Sequence, residues 1–398
     1  MPEPEGLPTL PPARRLVTVA AFASLFVFAI SAVILPATQL RAAADLSVDA
    51  ALLVRGTAVQ FGGYVLATLV GGFFCARAGK KLGLQGACLL MALGAGLTTL
   101  ARGLGMFYLA IAVLGMGGGV LESMASALLT DIYPTRRRQV LALSQVAFCV
   151  GAAAGPVAMA LLLPRGVSWR LFFVAEAVLA LALFALYSAT SVPRPQRPPP
   201  PPRDGRPPVW VRASFLLPAV VMFLYVLSEN GVIVYVNPYL QQQRMAPEQW
   251  GIYGISLIWL AMIVGRLLCA GLPERFPSER LIAGLCVAGA ASLGAQDFVR
   301  DWRVSFALFG VTGFLFAGVW PLIVAVTAGR HPLRTGTAVG VTIAAGALGA
   351  AAGPLAVSAL LRASMAALIL PLLAVPLLVG AAALPLAGGA QASSKDKM

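Results

Sequence analysis

The chain has 398 residues, of which 59% are hydrophobic and only 11% charged, and its mean hydropathy is +0.86. A soluble domain carries about 25% charged residues, so a water-soluble globular protein is excluded. The net charge of +14 does not point to nucleic acid, because the basic residues sit in short loops between apolar runs.

Apolar runs of about 20 residues, long enough to cross a bilayer as helices, recur along the whole chain. In lipid each backbone polar group must pair within its own segment, which predicts an all-α integral membrane protein. The alternating pattern of a transmembrane barrel is absent. Twelve spans are predicted, at 15–37, 52–75, 82–101, 104–129, 139–163, 169–190, 213–236, 250–270, 281–298, 303–328, 335–360 and 364–388. The first is read as a retained helix, since no cleavage signal follows it. Sorting the 29 Lys and Arg by alternate sides puts 19 with both termini and 9 on the opposite side, with Arg266 inside a span. The positive-inside bias then predicts both termini in the cytoplasm. An alanine-rich, arginine-over-lysine composition suggests a GC-rich bacterial genome and hence the inner membrane.

In chain order, the first span, "FAISAVILPATQL" included, is uncharged beyond its entry, and the second carries Gln60. "GGFFCARAGKK" at 71–81 brings Arg77, Lys80 and Lys81 to a loop, with Asp131 at the foot of helix 4 as the natural partner for Arg77. Helix 4 holds "GGGVLES", in which Glu122 follows three glycines with no cation within ten residues. A charge at mid-membrane costs at least about 2.5–3.5 kcal/mol, so such a group faces a cavity and works there. Desolvation favours the neutral form of a carboxyl, and one that titrates near neutrality can load and release a proton as access alternates. The alternative is a neutral carboxyl bonded to a neighbouring helix. Gln145 lies on helix 5, and Glu176 on helix 6 is read as a structural partner of Arg170.

"SVPRPQRPPPPPRDGRPPVW" is a proline-rich spacer. It predicts an N-terminal six-helix bundle over 1–190, a cytoplasmic linker over 191–212, a C-terminal bundle over 213–390 and a tail over 391–398. Helix 7 carries Glu229 with Asn230, Tyr235 and Asn237, helix 8 carries Arg266, and helix 10 carries Trp320. The amides, Tyr235 and Trp320 can supply the hydrogen bonds and stacking face of a polar solute. Arg266 can grip a carboxylate with two parallel bonds or pair with Glu274. The lone histidine, His331, falls in a loop and is too exposed for a proton relay. The five cysteines form no CxxC pair and read as small packers. No metal cluster, catalytic triad or Walker-type loop can be assembled, so neither an enzyme nor a cofactor is expected.

The halves repeat. A shift of 198 carries Gly115 to Gly313, Glu122 to Trp320, Pro134 to Pro332, Gly155 to Gly353 and Pro156 to Pro354. Parallel repeats about an axis along the membrane normal are a transporter design with the site at their interface. With Gly72, Arg77, Gly79, Lys80 and Lys81 in the loop after helix 2 and "GAAAGP" in helix 5, the chain resembles the major facilitator superfamily. Ala76 replaces that loop motif's usual Asp. The resemblance implies two pseudo-symmetric six-helix bundles, a loop latch from Arg77 and Lys80 to Asp131 that closes the two halves on the cytoplasmic side, and a cavity lined by helices 1, 4, 7 and 10. "GGVLES" and "FLYVLSE" are similar to the fucose/galactose/gluconate:proton symporter group, which implies proton coupling at Glu122. Ser126 stands where that group often has Asn, and its helix 1 acid is missing. The expectation is monomeric proton-coupled symport of a small sugar-like solute, driven through Glu122 with Glu229 assisting. A monocarboxylate carrier built on Arg266 and a proton-driven exporter are the alternatives.

Overall fold

The computed structural model describes residues 12–133, 137–190, 213–270, 277–330 and 335–395. They form α1 (Pro12–Asp45), α2 (Ala50–Ala78), α3 (Lys80–Leu100), α4 (Leu104–Ile132), α5 (Arg137–Leu162), α6 (Trp169–Ala189), α7 (Ala213–Pro238), α8 (Glu248–Ala270), α9 (Ser278–Ala295), α10 (Trp302–Phe316), α11 (Val319–Arg330), α12 (Thr335–Arg362) and α13 (Ile369–Lys395). Eleven stretches among the described residues are long and apolar enough to cross a bilayer, and Ala366–Ala382 is a shorter apolar helix. The linker, Glu274 and His331 lie outside the described residues, as do the side chains of Cys75 and Arg77.

Several boundaries differ from expectation, among them the end of the last helix, at Lys395 rather than 388. The tenth span, predicted as one helix over 303–328, is two helices, α10 and α11, with Ala317 and Gly318 in a turn between them. Pro321 explains the break: inside a helix it would remove a ladder bond and clash with the preceding turn, whereas in the first turn of α11 its missing N–H costs nothing. The first helix runs on through Pro36 to Asp45, eight residues beyond the predicted 37. The last helix begins at Ile369, after a short 3-10 turn, rather than at 364.

Glycines set how close these helices come. Gly117, Gly118 and Gly119 are consecutive, so at about 100° per residue they point to three different neighbours. A Cβ at Gly117 would meet Met91 of α3 at 2.6 Å, one at Gly118 the Phe28 ring of α1 at 2.6 Å, and one at Gly119 the Tyr64 carbonyl of α2 at 2.5 Å. Small residues let membrane helices pack backbone to backbone, and α4 is therefore held by three helices at one level.

The repeat is visible in the same contacts. A Cβ on Gly115 would overlap the Gln60 carbonyl, and one on Gly313 would sit 2.5 Å from the Ile258 carbonyl. Both partners are related by the shift of 198. Gly151 likewise abuts the Phe26 carbonyl of α1, and Gly349 the Phe223 carbonyl of α7.

Within the first six helices α4 packs on α2 and α3, α3 on α6, and α1 on α5; in the remainder α7 packs on α12 and α13, α9 on α13, and α8 on α10. Across the seam α2 meets α12, α5 meets α8, and α1 meets α7. Among the described residues two polar contacts cross this seam between α8 and α5, from Ser256 Oγ to the Ala153 carbonyl at 2.9 Å and from Arg266 to Cys149; the others cluster at the ends of α1 and α7 that hold Asp45 and Pro238, called here the far face. There Gln39 Nε2 donates to the Val234 carbonyl at 2.7 Å, and Asn237 Nδ2 donates to the carbonyls of Pro36 (3.2 Å) and Ala37 (3.0 Å). Arg41 forms a two-pronged pair with Glu248 at 2.7 and 2.6 Å, and Ser358 Oγ donates to the Ala51 carbonyl at 2.6 Å.

Candidate functional site

Glu122 follows Gly119 by three residues, which returns it to the side of α4 between α1 and α2. Tyr64 OH donates to Glu122 Oε2 at 2.7 Å, and the Gln145 amide of α5 bonds the same carboxyl. Phe28 stacks on Tyr64 at 5.6 Å, Phe148 of α5 packs on Phe28 at 5.7 Å, and Trp259 of α8 meets Phe148 edge-on at 5.4 Å. Glu122 thus lies on the side of its bundle that faces the other half, since α2 and α5 are the helices that meet α12 and α8. None of the ion pairs among the described residues includes it.

In the second half Glu229 is buried on α7. Tyr225, one turn earlier, places its hydroxyl 2.7 Å from Glu229 Oε1 and 3.0 Å from the Phe316 carbonyl at the end of α10. Arg266 of α8 acts electrostatically on Glu229 and donates from Nη1 to the Cys149 sulfur of α5 at 2.8 Å. Its buried Nε has no partner. The seam therefore holds a carboxyl, a guanidinium and a thiol, contributed by α7, α8 and α5.

The remaining predicted residues are scattered. Gln60 Nε2 donates to the Ser31 carbonyl at 3.1 Å, while its buried Oε1 has no partner. Asn230 Nδ2 donates to Val226 of its own helix at 3.3 Å. Tyr235 OH donates to the Ala366 carbonyl at 2.9 Å, and Asn237 is fully buried in the far-face seal. Trp320 stands partly buried in the first turn of α11, packed against the apolar core.

Among the described residues Lys80 pairs with Asp131, and its Nζ also donates to the Ala127 carbonyl at 3.2 Å. This contact ties the start of α3 to the end of α4 within one bundle rather than between halves. Lys81 Nζ donates to the Ser188 and Thr190 carbonyls at 3.0 and 2.8 Å, placing a cation on the C-terminal end of α6, where the dipole favours it. Arg170 pairs with Asp45, bonds the Ala101 carbonyl and lies over the Trp169 ring, so it does not reach Glu176. Both Glu176 oxygens are buried without a partner.

Sequence reasoning missed Tyr64, Tyr225 and Gln39. The phenols sit in apolar helices where a ring reads as packing. A signal for Gln39 existed, because Pro238 lacks an N–H and leaves the carbonyl four residues earlier, that of Val234, in need of a donor.

Comparisons with known proteins agree on the fold. The family model described as Major Facilitator Superfamily matches residues 17–295. "Protein TsgA" of Salmonella arizonae is 23% identical over 267 residues, 66% of this chain and 66% of its own length, and the Salmonella typhi protein of that name matches equally. Among solved structures, a D-xylose-proton symporter superposes with TM-score 0.76 at 15% identity, covering 93% of this chain and 97% of its own. A bacterial homologue of the human lysosomal transporter Spinster, inward-facing and occupied, gives 0.75 at 15%, covering 95% and 97%. The human organic anion transporter MFSD10 gives 0.70 at 20%, covering 94% and 100%. The family match, the repeated helix contacts and the apolar spans lead to one conclusion: this multi-pass membrane protein belongs to the major facilitator superfamily.

Proposed function

We propose that the protein is a proton-coupled symporter of a small polar, sugar-like solute, with Glu122 as the principal proton carrier and Glu229 assisting. The observation that carries this reading is the Glu122 cluster: a carboxyl inside the membrane, facing the other half, held by the Tyr64 phenol and the Gln145 amide. Hydrogen-bonding groups without a fixed counter-ion let the carboxyl exist in either proton state, which a permanent ion pair would prevent. Gln145, Asn230 and Trp320 supply polar or stacking contacts for solute around the seam, with the free Gln60 Oε1 as a further acceptor; Tyr235 and Asn237 become available when the far face opens. The symporter neighbour that carries D-xylose with protons makes a sugar the first solute class to try.

The positive-charge bias supports cytoplasmic termini, a cytoplasmic linker between two six-helix bundles and an inner-membrane location. On that orientation the sealed far face is periplasmic. The pair of Lys80 with Asp131, with Arg77 as a further cation beside it, steadies the cytoplasmic ends of α3 and α4 within one bundle. The working unit is a monomer.

A second reading rests on Arg266. Its unpartnered Nε at the contact between α8 and α5 is a free donor for an anionic group, and a structural neighbour is an organic anion transporter. Purified protein in liposomes loaded with a pH-sensitive dye separates the two. Proton entry triggered by a sugar, abolished by Glu122→Gln and retained in Arg266→Ala, supports the symporter. Entry triggered by a small carboxylate and lost with Arg266 replaces it with the anion carrier, and proton efflux on solute addition turns the reading to export.

A further inference from the structure

We infer that Tyr225 is a positioning residue that ties the proton on Glu229 to the break between α10 and α11. This rests on the proposed role of Glu229 as an assisting proton carrier and deepens it.

The Tyr225 hydroxyl touches two oxygens, Glu229 Oε1 at 2.7 Å and the Phe316 carbonyl at 3.0 Å. A carbonyl only accepts, an ionised carboxylate only accepts, and a phenol has one hydrogen to give. With Glu229 ionised, one of the two contacts lacks a hydrogen. With Glu229 protonated, its O–H donates to the phenol oxygen and the phenol donates to Phe316, so both are made. The two short contacts can both be full hydrogen bonds only when the acid is protonated.

The carbonyl at the end of this relay sits at a special place. Phe316 is the last residue of α10, so its C=O belongs to the set that a helix terminus leaves without ladder partners. The turn that follows is nested against α8: a Cβ at Gly265 would lie 2.5 Å from Ala317 Cβ, and one at Gly318 would lie 2.6 Å from the Cys269 sulfur. The Tyr225 ring also packs edge-on against Phe316 at 5.8 Å. When Glu229 loses its proton to water, the carboxylate draws the phenol hydrogen to itself, because a bond to a charged acceptor is the stronger one. The Phe316 carbonyl is then orphaned, and the break loosens.

Other groups act on the same acid. Arg266 of α8 and the Cys149 thiol of α5 face Glu229, and the Cys286 thiol of α9 faces Tyr225. Within their described ranges α11, α12 and α13 carry charge only at their ends, at Arg330, Arg362 and Lys395, and α1 only near its own. Arg266 is the one cation among these neighbours.

The test is amide hydrogen exchange of the segment 314–322 in protein reconstituted in nanodiscs without solute, at pH 6 and pH 8, corrected for intrinsic exchange chemistry. The wild type should exchange about fivefold faster at pH 8, the factor lost with one hydrogen bond of typical net worth. Glu229→Gln, whose amide donates to the phenol at any pH, should stay protected at both. Tyr225→Phe keeps the ring and removes the relay, so it should exchange fast at both. A wild type without pH dependence, a Tyr225→Phe protein that keeps the full wild-type response, or a Glu229→Gln protein that still responds each overturns the inference. No solute or Glu122 is involved, so a failure here leaves the symport proposal intact, and an inert Glu122→Gln in the liposome assay leaves this relay intact.

Discussion

Replacing Gln39 by alanine should shift the protein towards a far-face-open state. The Gln39 amide supplies the one donor that Pro238 denies to the Val234 carbonyl, at 2.7 Å and with Gln39 fully buried. Removing it leaves a buried acceptor without a partner, which costs about 1–3 kcal/mol, but it also takes away the buried Gln39 Oε1, which has no partner of its own and offsets part of that cost. When the face opens, water reaches that carbonyl, so the loss falls on the sealed state alone. The equilibrium between sealed and open should move by about fivefold, the low end of that range. Asn237 holds the reciprocal contact into α1 from the other side, and its loss should add to the effect. The assay is a distance measurement between spin labels on Ala44→Cys and Met245→Cys, both exposed at the far face, with the unsubstituted protein as labelling control. A longer-distance population should appear in Gln39→Ala and remain small in its parent. If the distribution in Gln39→Ala matches the parent while Asn237→Ala shifts, the proline-freed carbonyl is not what the amide stabilises and the reasoning fails.

Other perturbations have signs that follow from the same contacts. Glu248→Gln breaks a pair that is half exposed on its Arg41 side (50%), so the far face should loosen by no more than about 1 kcal/mol and the effect should fade in high salt; the same label pair reads it. Gly115→Ala drives a methyl into the Gln60 backbone, whereas Gly96→Ala meets nothing within 4 Å; monodisperse yield and thermal stability should collapse in the first and hold or rise slightly in the second. Lys81→Gln removes the cation at the end of α6, and the melting midpoint should fall by an amount matching about 0.3–1 kcal/mol, whereas a loss several times larger would mean the lysine does more than cap. Cys149→Val takes away the acceptor for Arg266 Nη1; Cys149→Ser restores one, so its stability should lie nearer the wild type.

Much of the architecture was legible because lipid leaves few options. A chain that must satisfy its backbone inside each segment becomes helices, and runs of apolar residues mark where. The repeat was legible for a related reason: close packing needs small residues, so the glycines that dock α4 on α2 recur where α10 docks on α8. What hydropathy hid was the break at Ala317 and Gly318. Those residues are as apolar as their neighbours, and only Pro321 betrayed the turn. Arg170 and Glu176 were misjoined because proximity in sequence stood in for proximity in space. At six residues apart on one helix they do not share a face, and the partner of Arg170 is Asp45, from the end of α1.

Glu122 itself was legible because a carboxylate in a membrane is costly and therefore noticed, but what holds it was not. A tyrosine among leucines and glycines reads as bulk, and only the fold turns the Tyr64 hydroxyl onto the acid. The glycine triplet resolves the rest. Gly117, Gly118 and Gly119 each yield to a different helix, so α4 is pressed against α3, α1 and α2 at once. One turn further the same helix must point Glu122 into the angle between α1 and α2, where Tyr64 and Gln145 wait. On the proposed function the glycines and the carboxylate act together: the first hold α4 close to three helices at that level, and the second then keeps its proton at a fixed place. On that reading Gly118→Ala, whose methyl meets only the Phe28 ring, should lower solute-triggered proton entry in liposomes while the monodisperse yield holds.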